Sequence, residues 1–313
     1  MRPAEPSQDF PVAPEEMDRW IRLMDRFKAL HPDPEALLPL LQGAEFPTLQ
    51  GLLGALGDDA SALGEDLALQ GWAAWDREDF DGARNFLEQA KSLLPEGDEV
   101  RVLDLVLGLE GEARLEALRQ ASQRLRAALS PEALQALHEG RGAENIEALR
   151  LHRCLSEEAH LLLHLDQKEA VVALVDEMFM ESDEDTFGVF PALVQAALAT
   201  DSLDVLDAWV DDMGADYPGL QEWLRVYLCQ TADQPGAAFQ ALRRARKAFP
   251  QLELAILKWH EAVLRAESLD PDTFPQPVFP TEFQAAGAFM ILAPAFIASP
   301  EFMAWLKRMR SLR

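Results

Sequence analysis

The chain has 313 residues, of which 49% are hydrophobic and 26% charged, a composition typical of a folded protein rather than a disordered one. Its formal net charge of −26 disfavours binding to phosphate backbones and anionic lipid surfaces, so we expect neither nucleic acid nor membrane as a partner. The chain has only two cysteines, Cys154 and Cys229, and its start lacks the apolar core of a secretory signal. These features favour a cytoplasmic location.

The first sixty residues predict a tail followed by a helical cap. Residues 1–13 carry three prolines, which favour a flexible tail. A helix is expected to open at 14–16, where a proline and two acids suit a first turn, and to end at His31. We assign residues 14–60 to an N-terminal helical cap whose apolar stripe is Trp20, Leu23, Met24 and Phe27.

From residue 61 the chain is a string of short helices that come in pairs. Apolar residues recur with helical spacing, and turn-forming stretches such as PEGD, TDS and DYPG separate the runs. The predicted pairs are 65–77 with 80–93, 99–109 with 112–129, 143–165 with 168–180, 190–200 with 202–213, and 219–231 with 235–248. A last helical part, 251–268, completes an array predicted over residues 61–268.

The remaining segment, 269–313, combines a proline-rich connector with C-terminal helices. Four prolines in PDTFPQPVFP favour a stiff, extended chain, and helices are predicted near 282–297 and 300–311. Residues 285–298 carry no charge, but a membrane-spanning helix needs about 20 apolar residues. We therefore expect a buried helix with a break at Pro294.

One spacing recurs along the array, with related residues at offsets 0, 4, 7 and 12. It occurs in full as Ala83-Leu87-Ala90-Pro95, Leu206-Val210-Met213-Pro218 and Ala238-Leu242-Ala245-Pro250. Ala170 and Leu174 are predicted to repeat its first half. Offsets 0, 4 and 7 share one helix face, and proline at offset 12 fixes where the chain turns. Similarity at a fixed period is typical of stacked helical hairpins.

At residues 65–95 the sequence resembles the tetratricopeptide repeat (TPR) family. The family's small, aromatic and proline positions match Gly71, Phe80, Ala83, Leu87, Ala90 and Pro95. Gln70 and Ala74 depart from its usual leucine and tyrosine, and Val226 replaces the glycine in a later repeat. The resemblance implies an all-α fold, a right-handed superhelical array of antiparallel helix hairpins with helical caps. An array of related but non-standard hairpins is the alternative.

The resemblance also implies a concave groove lined by the first helix of each pair. Carried over by position, the groove-facing candidates are Trp72, Trp75, Asp76, Trp223, Tyr227 and Gln230, with Gln195 and His152 as weaker ones. The two neighbouring tryptophans would hold apolar side chains of a peptide, or would simply fill space between helices. The family's clamp for acidic peptide tails is missing here, so the expected ligand is apolar or basic.

The negative charge is concentrated in one segment. Residues 169–224 contain 14 acids and no lysine or arginine, whereas residues 225–313 carry a net charge of +3. Helical spacing places Asp204, Asp207 and Asp211 on one side of their helix. Such a field would attract a basic peptide or protein surface, unless it is only a solvated outer face.

The segment HRCLSEEAHLLLH holds the candidate metal ligands Glu157, His160 and His164, at i, i+3 and i+7. A Glu-x-x-His pair is half of a carboxylate-bridged di-iron site, and the second half is absent from the sequence. The leucines after His160 favour a packing helix instead. A calcium loop in ESDEDTFG lacks the acid expected near the end of the loop.

The sequence contains neither a phosphate-binding glycine loop nor a Gly-x-Ser-x-Gly elbow. We therefore predict a non-enzymatic, cofactor-free scaffold or adaptor that binds an apolar or basic peptide or protein in a groove. One alternative is an acidic chaperone or immunity-type protein that neutralises a basic effector. The other is a helical metal-binding enzyme that uses Glu157, His160 and His164.

Overall fold

The computed structural model describes residues 17–41, 47–57, 59–182, 184–212, 217–266 and 283–311. Within these ranges the protein is all-helical, and its one extended pairing is an isolated bridge between Arg141 and Ser182. The predicted tail and proline-rich connector lie outside the described residues. The chain divides into two compact units, Met1–Ala128 and Leu129–Arg313, with the boundary inside the predicted array.

The first unit packs around the predicted stripe of α1. Its helices are α1 Met17–Leu30, α2 Leu38–Leu41, α3 Leu49–Ala55, α4 Ala60–Asp76, α5 Phe80–Leu93, α6 Asp98–Gly108 and α7 Gly111–Ala128, with a 3₁₀ turn at Pro34–Leu37. The four stripe residues are all buried, together with Leu52 and Leu56 of the α3 region. Helix α4 packs along α5, and α6 contacts both.

Ion pairs hold α1 on its neighbours in this unit. Arg19 Nε donates to the Asp66 carboxylate at 2.8 Å, and Arg22 donates to Glu99 at 2.6 Å. Arg22 and Glu99 are both buried, and removing one member of such a pair typically costs about 3–5 kcal/mol. These contacts fix α1 to α4 and α6, a connection that helical spacing alone does not predict.

The second unit contains the remaining helices. They are α8 Pro131–His138, α9 Ile146–His164, α10 Lys168–Glu181, α11 Phe190–Thr200, α12 Leu203–Trp209, α13 Pro218–Thr231, α14 Pro235–Ala248, α15 Pro250–Ala266, α16 Phe283–Ala298 and α17 Pro300–Ser311, with a 3₁₀ turn at Gly142–Glu144. Helices α5, α11 and α14 have the predicted bounds. Helix α8, absent from the predicted set, begins where the Ser130 hydroxyl accepts a hydrogen bond from Ala133 N–H.

Four hairpins close with the same backbone turn: α4–α5, α9–α10, α11–α12 and α13–α14. In each turn an acidic residue has a positive φ of 53–61°, at Glu78, Asp166, Asp201 and Asp233. The N–H of the following residue donates to a carbonyl five residues earlier, at 2.9 Å in all four turns. This is the Schellman closure of a helix end. These four helix pairs are therefore hairpins that share one type of turn.

The shared turn corrects the predicted register of α10. The fifth residue after each positive-φ position is completely buried, at Ala83, Val171, Leu206 and Ala238. The predicted match at Ala170 and Leu174 is wrong by one residue, since both are only half-buried. Val171 and Val175, each 0% exposed, occupy the equivalent hairpin interface.

Helix α16 is a buried helix, as predicted, but it does not break at Pro294. The helix runs to Ala298, and the chain turns only at Ser299. Pro294 is exposed, and Met290, whose carbonyl loses its helical partner, is 60% exposed. Water can therefore bind that carbonyl, so the proline is tolerated. The buried face of α16 packs against α11, α13 and α15.

Candidate binding site

The last turn of α13 and the first turns of α12 enclose a cleft in the second unit. The cleft has a volume of about 330 Å³. Three residues of α12 line it, together with five at the end of α13 and in the turn that follows: Leu203, Asp204, Asp207, Leu228, Cys229, Thr231, Ala232 and Gln234. The closures at Asp201 and Asp233 bring these two ends together, so the repeated hairpin turn positions the α12–α13 cleft.

The orientation of α12 is fixed by its opposite face. Leu206 is 0% exposed and Val210 is 1% exposed, as the sequence predicts. Trp209 Nε1 donates to the Asp176 carboxylate of α10 at 2.6 Å, and its ring meets Phe179 edge to face. Since this face is held in the core, the aspartates of α12 point outward.

The carboxylates at the cleft have no partner within the described residues. Asp204 and Asp207 are exposed and make neither a hydrogen bond nor an ion pair there. Among the described residues, the lining of the cleft includes no lysine, arginine or histidine. The third predicted member of this face, Asp211, is instead paired with Arg225 of α13. The negative charge of Asp204 and Asp207 is therefore not neutralised by any described side chain of the cleft.

The rest of the acidic segment is only partly neutralised. Both carboxylate oxygens of Glu222 accept from the single N–H of Arg244 Nε, at 2.9 and 3.0 Å, and Asp185 accepts from the N–H groups of Val189 and Phe190 at the start of α11. The exposed carboxylates of Glu169, Asp201 and Asp212 make no ion pair or hydrogen bond to other described residues. The negative electrostatic field predicted for residues 169–224 is therefore present at the surface of the folded protein.

The candidate groove residues of α4 differ in exposure. Trp72 is 0% exposed, so it belongs to the core and cannot hold a ligand; this corrects its assignment to a binding surface. Trp75 is half-buried, with its ring centroid 5.2 Å from that of Phe80 and the Arg114 guanidinium 5.9 Å above it. Asp76 is exposed. The packing of the hairpin therefore buries Trp72 and leaves Trp75 partly exposed.

The candidate residues of α13 are largely covered by the chain itself. Trp223 is 0% exposed and is likewise a core residue rather than a ligand contact. The Tyr227 ring stacks on Phe296 of α16 at 5.1 Å and meets Phe302 of α17 at 5.2 Å. Burial, and secondarily the negative charge of Asp201, raises the pKa of Tyr227 above its ordinary value.

The last main candidate, Gln230, and the two weaker ones, Gln195 and His152, also have defined positions. Gln230 of α13 is half-buried and Gln195 of α11 is exposed. His152 is buried, with Nε2 3.3 Å from the Glu181 carboxylate, so it is a structural contact between α9 and α10. Because the Tyr227 ring contacts Phe296 and Phe302, the α13 face predicted to bind a peptide packs against α16 and α17 at that residue.

No group of three histidine, cysteine, aspartate or glutamate residues within the described ranges could hold a metal ion. His160 and His164 lie exposed on α9, and Glu157 is half-buried. The described residues around Glu157, His160 and His164 therefore do not supply the further ligands that a metal site needs.

Length and mean hydropathy together limit which of the described helices could span a bilayer. None of them is by itself both long and apolar enough to cross it, and α16 with α17 satisfies length and composition only as a pair bent by 107°.

The α12–α13 cleft was not among the predicted sites, although two of its acids were singled out. Leu203, Leu228 and Cys229 carry no pattern that marks a pocket, because the cleft forms only where two hairpin ends meet. Comparison with protein-family models, curated proteins and solved structures finds no match to this chain. The functional argument therefore depends on the chain's own geometry and charge.

Proposed function

We propose that this protein is a non-enzymatic interaction protein that binds a basic segment of a partner protein on its acidic second unit. One observation carries the proposal: exposed carboxylates of the segment 169–224 have no partner among the described residues. They are Glu169, Asp201, Asp204, Asp207 and Asp212. A field of this sign attracts a basic surface and accelerates its encounter.

The repeated hairpins support a scaffold of the TPR type. Arrays of such hairpins present extended surfaces at little cost in additional core, which suits recognition. Burial of Trp72 and Trp223 argues against an apolar peptide held between tryptophans. The ligand of this scaffold is accordingly basic, and the protein acts in the cytoplasm.

A narrower function, neutralisation of a basic effector, draws on the same unpaired carboxylates. The two functions differ in how binding responds to salt. A neutraliser that depends on charge alone loses affinity steeply as salt rises, whereas a scaffold with additional apolar contacts loses less.

Fluorescence anisotropy with three labelled peptides tests the proposal. The peptides share length and apolar content and are basic, neutral or acidic. We expect the basic peptide alone to bind, with an affinity that decreases as sodium chloride is raised. Glu169→Gln, Asp201→Asn and Asp212→Asn, combined in one variant, should weaken this binding severalfold because they remove three unpaired charges of the segment.

A matched variant separates local recognition from net charge. Glu78→Gln, Asp81→Asn and Glu88→Gln remove the same charge from exposed positions of the first unit. This variant should bind the basic peptide like the unmodified protein. Equal losses in both variants, or equal binding of the neutral peptide, would contradict a basic-segment site on the second unit.

A further inference from the structure

The polar rim of the α12–α13 cleft offers hydrogen-bond acceptors. Asp204 and Asp207 lie one turn apart, so their carboxylates are neighbours on the surface of α12. The Thr231 hydroxyl donates to the Tyr227 and Leu228 carbonyls, each at 3.0 Å, which leaves its oxygen able to accept from a ligand. The last carbonyls of α13 add the negative end of a helix dipole. A ligand here must donate hydrogen bonds and carry positive charge.

The walls of the cleft are apolar. Leu203 and Leu228 face it, and the half-buried thiol of Cys229 completes the wall. Its volume of about 330 Å³ lies at the lower end of the range for ligand pockets. The cleft therefore suits one long side chain with an apolar stem and a cationic head, rather than a folded segment.

We propose that the α12–α13 cleft binds a single arginine side chain of the basic partner, an inference that rests on the proposed function. The guanidinium is a flat fork with five donors, so it bridges two adjacent carboxylates, and it is more weakly hydrated than an ammonium group. Its methylene stem lies against Leu203 and Leu228 while its head reaches Asp204 and Asp207. A lysine would present only a point charge to the same rim.

Cys229 provides a direct reporter of occupancy. It lines the cleft, whereas the other cysteine, Cys154, is 0% exposed. The full-length protein is alkylated with iodoacetamide in the presence of increasing butylguanidinium, and labelling of each cysteine is followed by peptide mass spectrometry. We expect saturable, severalfold slowing at Cys229, weaker slowing by butylammonium, and none by uncharged butylurea.

Substitution of the rim tests the assignment. Asp204→Asn with Asp207→Asn should abolish protection by butylguanidinium, measured as the ratio of the Cys229 labelling rates with and without the probe in the same variant. Glu78→Gln with Asp81→Asn, which removes equal charge elsewhere, should leave protection intact. Protection that survives in the rim variant, or equal protection by butylurea, would overturn the site. Stronger protection by butylammonium would overturn the choice of arginine.

The two proposals can fail separately. Charge-dependent binding of the basic peptide without protection of Cys229 by butylguanidinium would remove the arginine site and leave the basic-segment function standing. Loss of peptide discrimination would remove the function itself, whatever the small probes do at the cleft.

Discussion

At the scale of single residues, the hairpin turns use acids where glycine would be least strained. A left-handed backbone costs a non-glycine residue about 1–2 kcal/mol. Aspartate adopts this conformation more readily than most other residues except glycine, and it occupies three of the turns, at Asp166, Asp201 and Asp233. Glu78, with φ of 61°, is a glutamate and does not share that preference. Among the four turns, Glu78 is thus the residue whose replacement by glycine relieves most strain.

We expect Glu78→Gly to stabilise the first unit by about 0.5–1 kcal/mol, since relief of the left-handed strain exceeds the entropy lost by glycine. Urea unfolding followed by circular dichroism measures the change. The same substitution at Glu88, exposed inside α5, should instead destabilise by about 1 kcal/mol. Equal effects at the two positions would show that the turn carries no strain.

Sequence spacing predicts which residues of the recurrent apolar pattern are buried, but it does not predict which tryptophans are buried. Ala83, Leu87 and Ala90 are identified correctly because one helix face must meet its neighbour. Trp72 and Trp75 are three residues apart on the same helix, so spacing assigns them to adjoining surfaces. Their difference in burial arises from the packing of α5 and α6 on α4, which a linear pattern does not contain.

At the scale of elements, α15 and α17 bring together a buried imidazole and a cation. His260 of α15 is 9% exposed, and its Nδ1 has no hydrogen-bond partner within the described residues. Burial, followed by repulsion from Lys307 of α17, lowers the pKa of His260, and Glu261 opposes this shift. The folded protein therefore holds this imidazole neutral at a pH where the unfolded chain begins to protonate it.

This shift predicts that the second unit loses stability as pH falls below about 6.5, the ordinary pKa of histidine. Below that pH the unfolded chain binds a proton that the folded protein takes up only at lower pH. The slope due to one group is at most about 1.4 kcal/mol per pH unit. His260→Gln should reduce the decline in urea unfolding between pH 7.5 and 5.5, whereas His138→Gln, at an exposed position, should not. An unchanged slope in the first variant would contradict the shift.

Helix positions were largely predictable because their ends carry local chemistry. Proline at the first turn begins α13, α14 and α17, and turn residues end the helices before them. The partners of α16 were not predictable, because its nearly uniform apolar composition marks burial without marking which helices cover it. The α12–α13 cleft was not predictable for the same reason. It forms only where two helix ends meet, and the sequence does not indicate which helices pack together.

At the scale of the whole molecule, charge is distributed unevenly. Residues 169–224 contribute −14 to the net charge of −26. Arg225 and Arg244 neutralise two of these acids, but exposed pairs of this kind contribute only about 0–1 kcal/mol. Self-repulsion among the remaining carboxylates therefore opposes folding at low salt.

We expect the thermal unfolding midpoint to rise as sodium chloride increases from about 0.01 M to about 0.15 M, because the Debye length shortens from about 30 Å to about 8 Å. Circular dichroism of the helical signal measures the midpoint. The variant that neutralises Glu169, Asp201 and Asp212 should show a smaller rise. The buried pair Arg22–Glu99 is poorly screened, so it should not reverse the trend. A midpoint that falls with salt would contradict this account.

The position of α16 has a consequence for biosynthesis. Its buried face, which includes Leu292 and Phe296, packs against α11, α13 and α15. All three of those helices precede α16 in the chain, so they leave the ribosome first with their common apolar surface uncovered. During translation the nascent second unit therefore exposes an apolar, aggregation-prone surface until residues 283–298 emerge. Chaperones would have access to this surface during that interval.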